Sequence, residues 1–181
     1  MTKYIAFLRA INVAGHASVK MADLNRAFVS AGCKEVRTVI QSGNVLFEAA
    51  DRETSAIIRK VHLRLRELLA SEATIMFRTF SEVENIVRAA PFEGIQPGPN
   101  VKFYVAFLTQ TPGRRPALPV LSTKEALEAF KIKDREVFVV SRRKTSNGMF
   151  GFPNNFIESE FEVSATTRNW STVKKLVERL P

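Results

Sequence analysis

A chain of 181 residues that is 45% hydrophobic can fill one substantial core or two small ones, and no apolar run in it approaches the ~20 residues a membrane span needs. Its single cysteine, Cys33, excludes an internal disulfide, and with only His16 and His62 available it cannot complete a structural zinc site, so no metal and no cofactor are expected. The formal charge of +9 suits a polyanionic partner, and residues 101–144 hold ten Lys and Arg against four acids.

The start of the chain meets Arg9 too early for a secretory apolar region, so a soluble, cytoplasmic protein without membrane association is expected. Residues 4–13 read as a buried strand through Ile5, Phe7 and Ile11, ending where Ala14-Gly15 permits a turn. Met21, Leu24, Phe28 and Ala31 then recur at helical spacing, and Gly32 can end that helix in the left-handed conformation. Residues 35–39 and 45–48 are β-rich runs joined across Gln41-Ser42-Gly43-Asn44, a hairpin signature. Residues 52–70 form an amphipathic helix with Ile57, Ile58, Val61, Leu65, Leu68 and Leu69 inward, and residues 74–79 a further strand. Strand, helix, strand, strand, helix, strand is the order of a ferredoxin-like plait, whose right-handed crossovers place both helices on one face of an antiparallel sheet.

Ser81 with Glu84 suggests a capping box for the next helix, which stops before Pro91. The first half is therefore assigned to residues 1–90, a Pro- and Gly-containing linker to 91–100, and a second plait-like half with a C-terminal helix to 101–181. In that half, residues 102–108 and 136–141 are strands, residues 117–121 a short helical turn, and residues 125–132 a strand. A glycine-containing loop over 145–153 leads to a helix over 154–161. A short extended piece over 163–166 then leads into the last helix, which carries Trp170, Val173, Leu176, Val177 and Leu180 on one face. No clear sequence repeat connects the two halves. The fold class expected is α+β.

Four segments, Phe7-Leu8-Arg9-Ala10-Ile11-Asn12-Val13-Ala14-Gly15, Lys20-Met21-Ala22-Asp23-Leu24, Val36 through Phe47, and Ala165 through Leu176, resemble the uncharacterised bacterial proteins called DUF1697. The resemblance implies two ferredoxin-like halves and carries no assigned function. Ala10 and Ala14 stand where that family usually has glycines, and Phe150, Gly151 and Phe152 stand where it usually has Ser-Lys-Leu, so no role of that lysine carries over.

Two polar groups are candidate ligand sites. Arg9, Asn12, Gln41, Ser42 and Asn44 sit in or between apolar strands, where they either line a shared pocket or build a hairpin and an ion pair. Thr167, Arg168 and Asn169 precede the last helix. There a threonine or Asn169 caps it, Trp170 anchors it, and Arg168, the residue without a structural obligation, joins the helix N-terminus to attract phosphate or carboxylate. Arg114, Arg115, Arg142, Arg143 and Lys144 form a candidate basic surface, which is either a polyanion site or simply well solvated. The Ser42-Gly43-Asn44-Val45-Leu46-Phe47 run lacks the aromatics by which some plait sheets stack RNA bases. No G-x-S-x-G, H-E-x-x-H or phosphate-loop spacing occurs. The sequence points to binding of an anionic ligand or nucleic acid at a polar cleft between the halves; a small-molecule enzyme and a homodimeric structural protein are the alternatives.

Overall fold

Ile5, Ala6, Phe7 and Leu8 are all buried, which is what an apolar run without alternation dictates for a strand covered on both faces. The computed structural model describes residues 1–9, 19–39, 43–50, 52–69, 74–143 and 148–178. The chain divides into two compact units, Met1–Glu84 and Asn85–Pro181. Among the described residues it is a mixed α+β fold with two antiparallel sheets and five helices, none long and apolar enough to cross a membrane.

The first unit runs β1 (Thr2–Leu8), α1 (Met21–Ser30), β2 (Lys34–Val39), β3 (Asn44–Ala49), α2 (Thr54–Leu69) and β4 (Ile75–Thr79), then enters α3 (Phe80–Arg88). Its sheet has the order β2-β3-β1-β4, every pair antiparallel. The first strand, expected to continue to residue 13, pairs only through Leu8, and residues 10–18 lie outside the described ones. Ala6, Leu8, Val45 and Phe47 on one sheet face meet Leu24 and Phe28 of α1 and Ile57, Val61 and Leu65 of α2. Both helices therefore cover the same face. Leu68, expected inside, is 37% exposed although it lies on the same stripe as Ile57, Val61 and Leu65, because it falls in the last turn of α2. Gly32 has φ +101° directly after α1, the left-handed turn expected of it. At the sheet margin no residue of β2 is buried, and its pairing shifts between Lys34 and Arg37, where Glu35 takes φ +47°.

The capping box of α3 lies two residues earlier than expected. The Thr79 backbone N–H donates to Glu82 Oε2 at 2.6 Å, and the Glu82 N–H donates to Thr79 Oγ1 at 3.1 Å. Strand β4 passes into helix with no intervening loop, so Thr79, the last extended residue, takes the cap that the sequence reading gave to Ser81.

The second unit contains β5 (Val101–Leu108), β6 (Val120–Ser122), β7 (Leu127–Lys133), β8 (Glu136–Arg142), α4 (Asn154–Phe161), β9 (Ala165–Asn169) and α5 (Trp170–Glu178), with sheet order β6-β7-β8-β5-β9. Tyr104, Ala106, Leu108, Val137 and Val139 pack under Phe156, Ile157 and Phe161 of α4. The helical turn expected over residues 117–121 is replaced by β6, which pairs Val120 with Ala129 and Ser122 with Leu127. Pro116 and Pro119 favour extended backbone before them and supply no N–H, and the exposed side of β7 gains a partner. The last extended piece runs through Asn169 rather than ending at residue 166, because β-branched Thr166 and Thr167 pair along β5.

The expectation that the halves share no repeat is also corrected. Strand β1 reads Tyr4-Ile5-Ala6-Phe7-Leu8 and β5 reads Tyr104-Val105-Ala106-Phe107-Leu108. Phe7 pairs with Asn44 and Phe107 with Glu136; Ile5 pairs with Arg78 and Val105 with Arg168. After the two last strands, Phe80-Ser81-Glu82-Val83 answers Trp170-Ser171-Thr172-Val173. The matching registers make each central strand of one unit the counterpart of one in the other, with β6 standing in the connection that α1 occupies.

Candidate functional site

The residues before the last helix belong to β9, and their side chains alternate across the sheet. Thr167 faces α4, where its hydroxyl donates to Asn154 Oδ1 at 3.4 Å. Thr166 and Arg168 face the opposite side. There Arg168 Nη1 donates to Thr166 Oγ1 at 2.8 Å and to the Thr167 carbonyl at 3.0 Å. Neither threonine caps α5. Arg168 is 7% exposed, and burial lowers its pKa to about 10, so it remains cationic at neutral pH. The sequence reading of Arg168 as a residue without structural duties is therefore wrong: it is held within the sheet. Its counterpart Arg78, 1% exposed, likewise donates from Nη1 to the carbonyl of its predecessor, Phe77, at 2.8 Å.

Asn169, the last residue of β9, is exposed and opens onto a cleft of about 810 Å³ in the second unit. Phe92, Phe103 and Trp170 give this cleft aromatic walls; the Phe92 ring centroid lies 4.8 Å from Phe103 and 5.3 Å from Trp170. Trp170 thus anchors the start of α5, as expected. Ser171 and Lys174 extend the lining along α5, and Glu93 supplies one acid from the segment before β5. No acidic residue occupies the first turn of α5, whereas Glu82 occupies that of α3. Positive partial charge at the start of α5 and the Lys174 ammonium therefore favour an anion over a cation.

Of the other sequence-nominated residues, Arg9 is half-buried in the first unit, its N–H bonded to the Thr74 carbonyl at 3.0 Å. Asn44 is buried and donates to the Val39 carbonyl at 3.3 Å, closing the β2–β3 hairpin. Asn12, Gln41, Ser42 and Lys144 lie outside the described residues. Among the basic residues, Arg114 pairs with Glu162 at 2.9 Å and Arg142 with Glu128, while Arg115 is exposed. Arg143 Nε donates to Asn100 Oδ1 at 2.8 Å. Cys33 is buried, which pushes its thiol up to about 12 and leaves it protonated and unreactive. Among the described residues no group of three or more His, Cys, Asp or Glu is placed to hold a metal.

Sequence reasoning missed Phe92, which it assigned to a linker, and Glu136, a 6% exposed carboxylate at the start of β8. A phenylalanine amid Pro and Gly was the available signal for the first. For the second, it was an acid opening an otherwise apolar strand.

Comparison with known proteins gives a fold and a family. The chain is similar in structure to the conserved bacterial protein SP0830 from Streptococcus pneumoniae, with a TM-score of 0.72, 20% sequence identity and 99% of each chain covered. No curated protein matches the sequence. The family model described as "Protein of unknown function (DUF1697)" matches residues 1–138, more than half of the chain, and the chain therefore belongs to that family.

Proposed function

We propose that the protein is a binding module whose second unit takes up a small anion carrying a flat apolar group, in the cleft beside α5. The observation that carries this reading is the cleft itself: aromatic walls from Phe92, Phe103 and Trp170 adjoin Asn169, Ser171 and Lys174 at a helix start without an acid. A planar group gains by leaving water against the rings, while the anionic group meets the α5 N–H groups and the lysine. The counterpart positions of the first unit argue the same way, since Glu84 stands where the second unit has Lys174. We further read each unit as a ferredoxin-like plait, supported by the matching order and register of β2-β3-β1-β4 and β7-β8-β5-β9. A cytoplasmic location accords with the lone reduced cysteine.

Trp170 is the only tryptophan, so its fluorescence reports the cleft directly. Titration with nucleoside monophosphates and aromatic carboxylates should give a saturable change that Lys174→Glu weakens by roughly tenfold, about 1.4 kcal/mol. No saturable change with either class would overturn the reading.

A further inference from the structure

On β5, Lys102 and Phe103 both line the cleft, but their side chains point to opposite faces of the sheet, so the Lys102 ammonium lies on the other side from the Phe103 ring. That ammonium rests 4.3 Å from the centre of the Phe150 ring, and the Arg143 guanidinium lies 5.0 Å from the same centre. Among the described residues neither cation has an acidic partner. The end of the loop that carries the ring, residues 148–153, is clamped: Ser141 Oγ donates to the Gly151 carbonyl at 3.2 Å, and Gly151 lies so close to Glu125 that an added Cβ would stand 2.3 Å from its carbonyl oxygen. Fixed in this way, the loop holds Phe152 56% exposed with its edge set against Tyr104, and Met149 94% exposed. Two cations sharing one ring beside a second, outward aromatic is an arrangement that water alone does not reward.

We propose that this surface binds single-stranded nucleic acid, with phosphodiesters at Lys102 and Arg143 and a base stacked on Phe152. The stacking rings absent from β3 of the first unit are present here on a loop, next to unneutralised charge. Single strands match an alternation of cation and ring because their phosphates and bases alternate along the chain. A duplex hides its base faces, and a lipid surface would gain little from two apolar side chains.

The test is fluorescence anisotropy with a labelled oligo-dT at low salt. Binding should weaken steeply as salt rises, and Lys102→Ala with Arg143→Ala should lower the slope of log affinity against log salt by about 1.4, the ~0.7 per contact of single strands. Phe152→Ala should weaken binding roughly tenfold and Phe152→Leu nearly as much, whereas Phe152→Tyr retains it. Phe152 is mostly exposed, so these variants should keep the wild-type melting curve. Absence of binding, indifference to these substitutions, preference for duplex, or loss in the same variants of binding to phosphatidylglycerol vesicles instead would each overturn the proposal. Lys102 also lines the cleft, so the two sites are told apart through Arg143 and Phe152, which do not: with Trp170 fluorescence reading the cleft in the Phe152 variants, failure of one reading leaves the other standing.

Discussion

The two units use one strand register to support two different helix starts. In the first, Thr79 and Glu82 close the mouth of α3 by bonding each other's backbone N–H groups. In the second, Asn169 and Thr172 occupy the counterpart positions, no carboxylate closes the helix, and a cleft with aromatic walls lies beside it. What the units share most closely lies in the strands and buried arginines, where any change disturbs many contacts. What differs is at the surface, where a new side chain costs little stability and changes what can bind.

Because Arg78 and Arg168 are buried counterparts, removing either should have the largest effect. Arg168→Ala leaves the Thr166 hydroxyl and Thr167 carbonyl without their donor and opens a void, and we expect a loss of about 3 kcal/mol in urea unfolding. Arg78→Ala should cost a similar amount, and indifference of one unit would break the equivalence. Gly151→Ala, which tests a feature of the second unit alone, should cost about 2 kcal/mol, read as a lower Tm, because its Cβ would press on the Glu125 backbone. Thr79→Ala should cost about 1 kcal/mol by opening the box. The converse variant, Thr172→Glu, should add several tenths of a kcal/mol and weaken anion binding detected through Trp170, since it gives α5 the closure that α3 has. The last effect is confined to alkaline pH and concerns Cys33. Its raised pKa favours the folded state below the thiol's ordinary value near 9, and this contribution falls as pH rises from there towards about 12. Between pH 9 and 11 wild type should therefore lose more stability than Cys33→Ala, measured by urea midpoints.

Much of this is legible in the sequence. Met21, Leu24 and Phe28 announced α1, Gly32 its end, and the two β-rich runs around Gly43 the hairpin, because hydrophobic period and turn chemistry are local signals. The repeat was harder to see for a physical reason. Counterparts lie 100 residues apart in β1 and β5, 92 in β3 and β8, and 90 in β4 and β9, from the pairings of Phe7, Phe107, Arg78 and Arg168. A search at one fixed period fails when α1 in one unit is replaced by β6 in the other. The two threonines before Arg168 were misread because the same side chain suits a cap and a strand. Only the pairing with β5 decides between them. The cleft was not legible, since Phe92, Phe103 and Trp170 are separated in sequence and meet through packing.

The bulged margin of the first sheet has a consequence for association between molecules. A strand edge with unused hydrogen-bonding groups invites another chain to pair with it. Strand β2 instead presents Lys34, Glu35 and Arg37, with the positive φ of Glu35 bending the backbone out of line. A neighbouring strand would have to bury those charges and match an irregular ladder. The basic protein is thus guarded against sheet-to-sheet polymerisation at this margin.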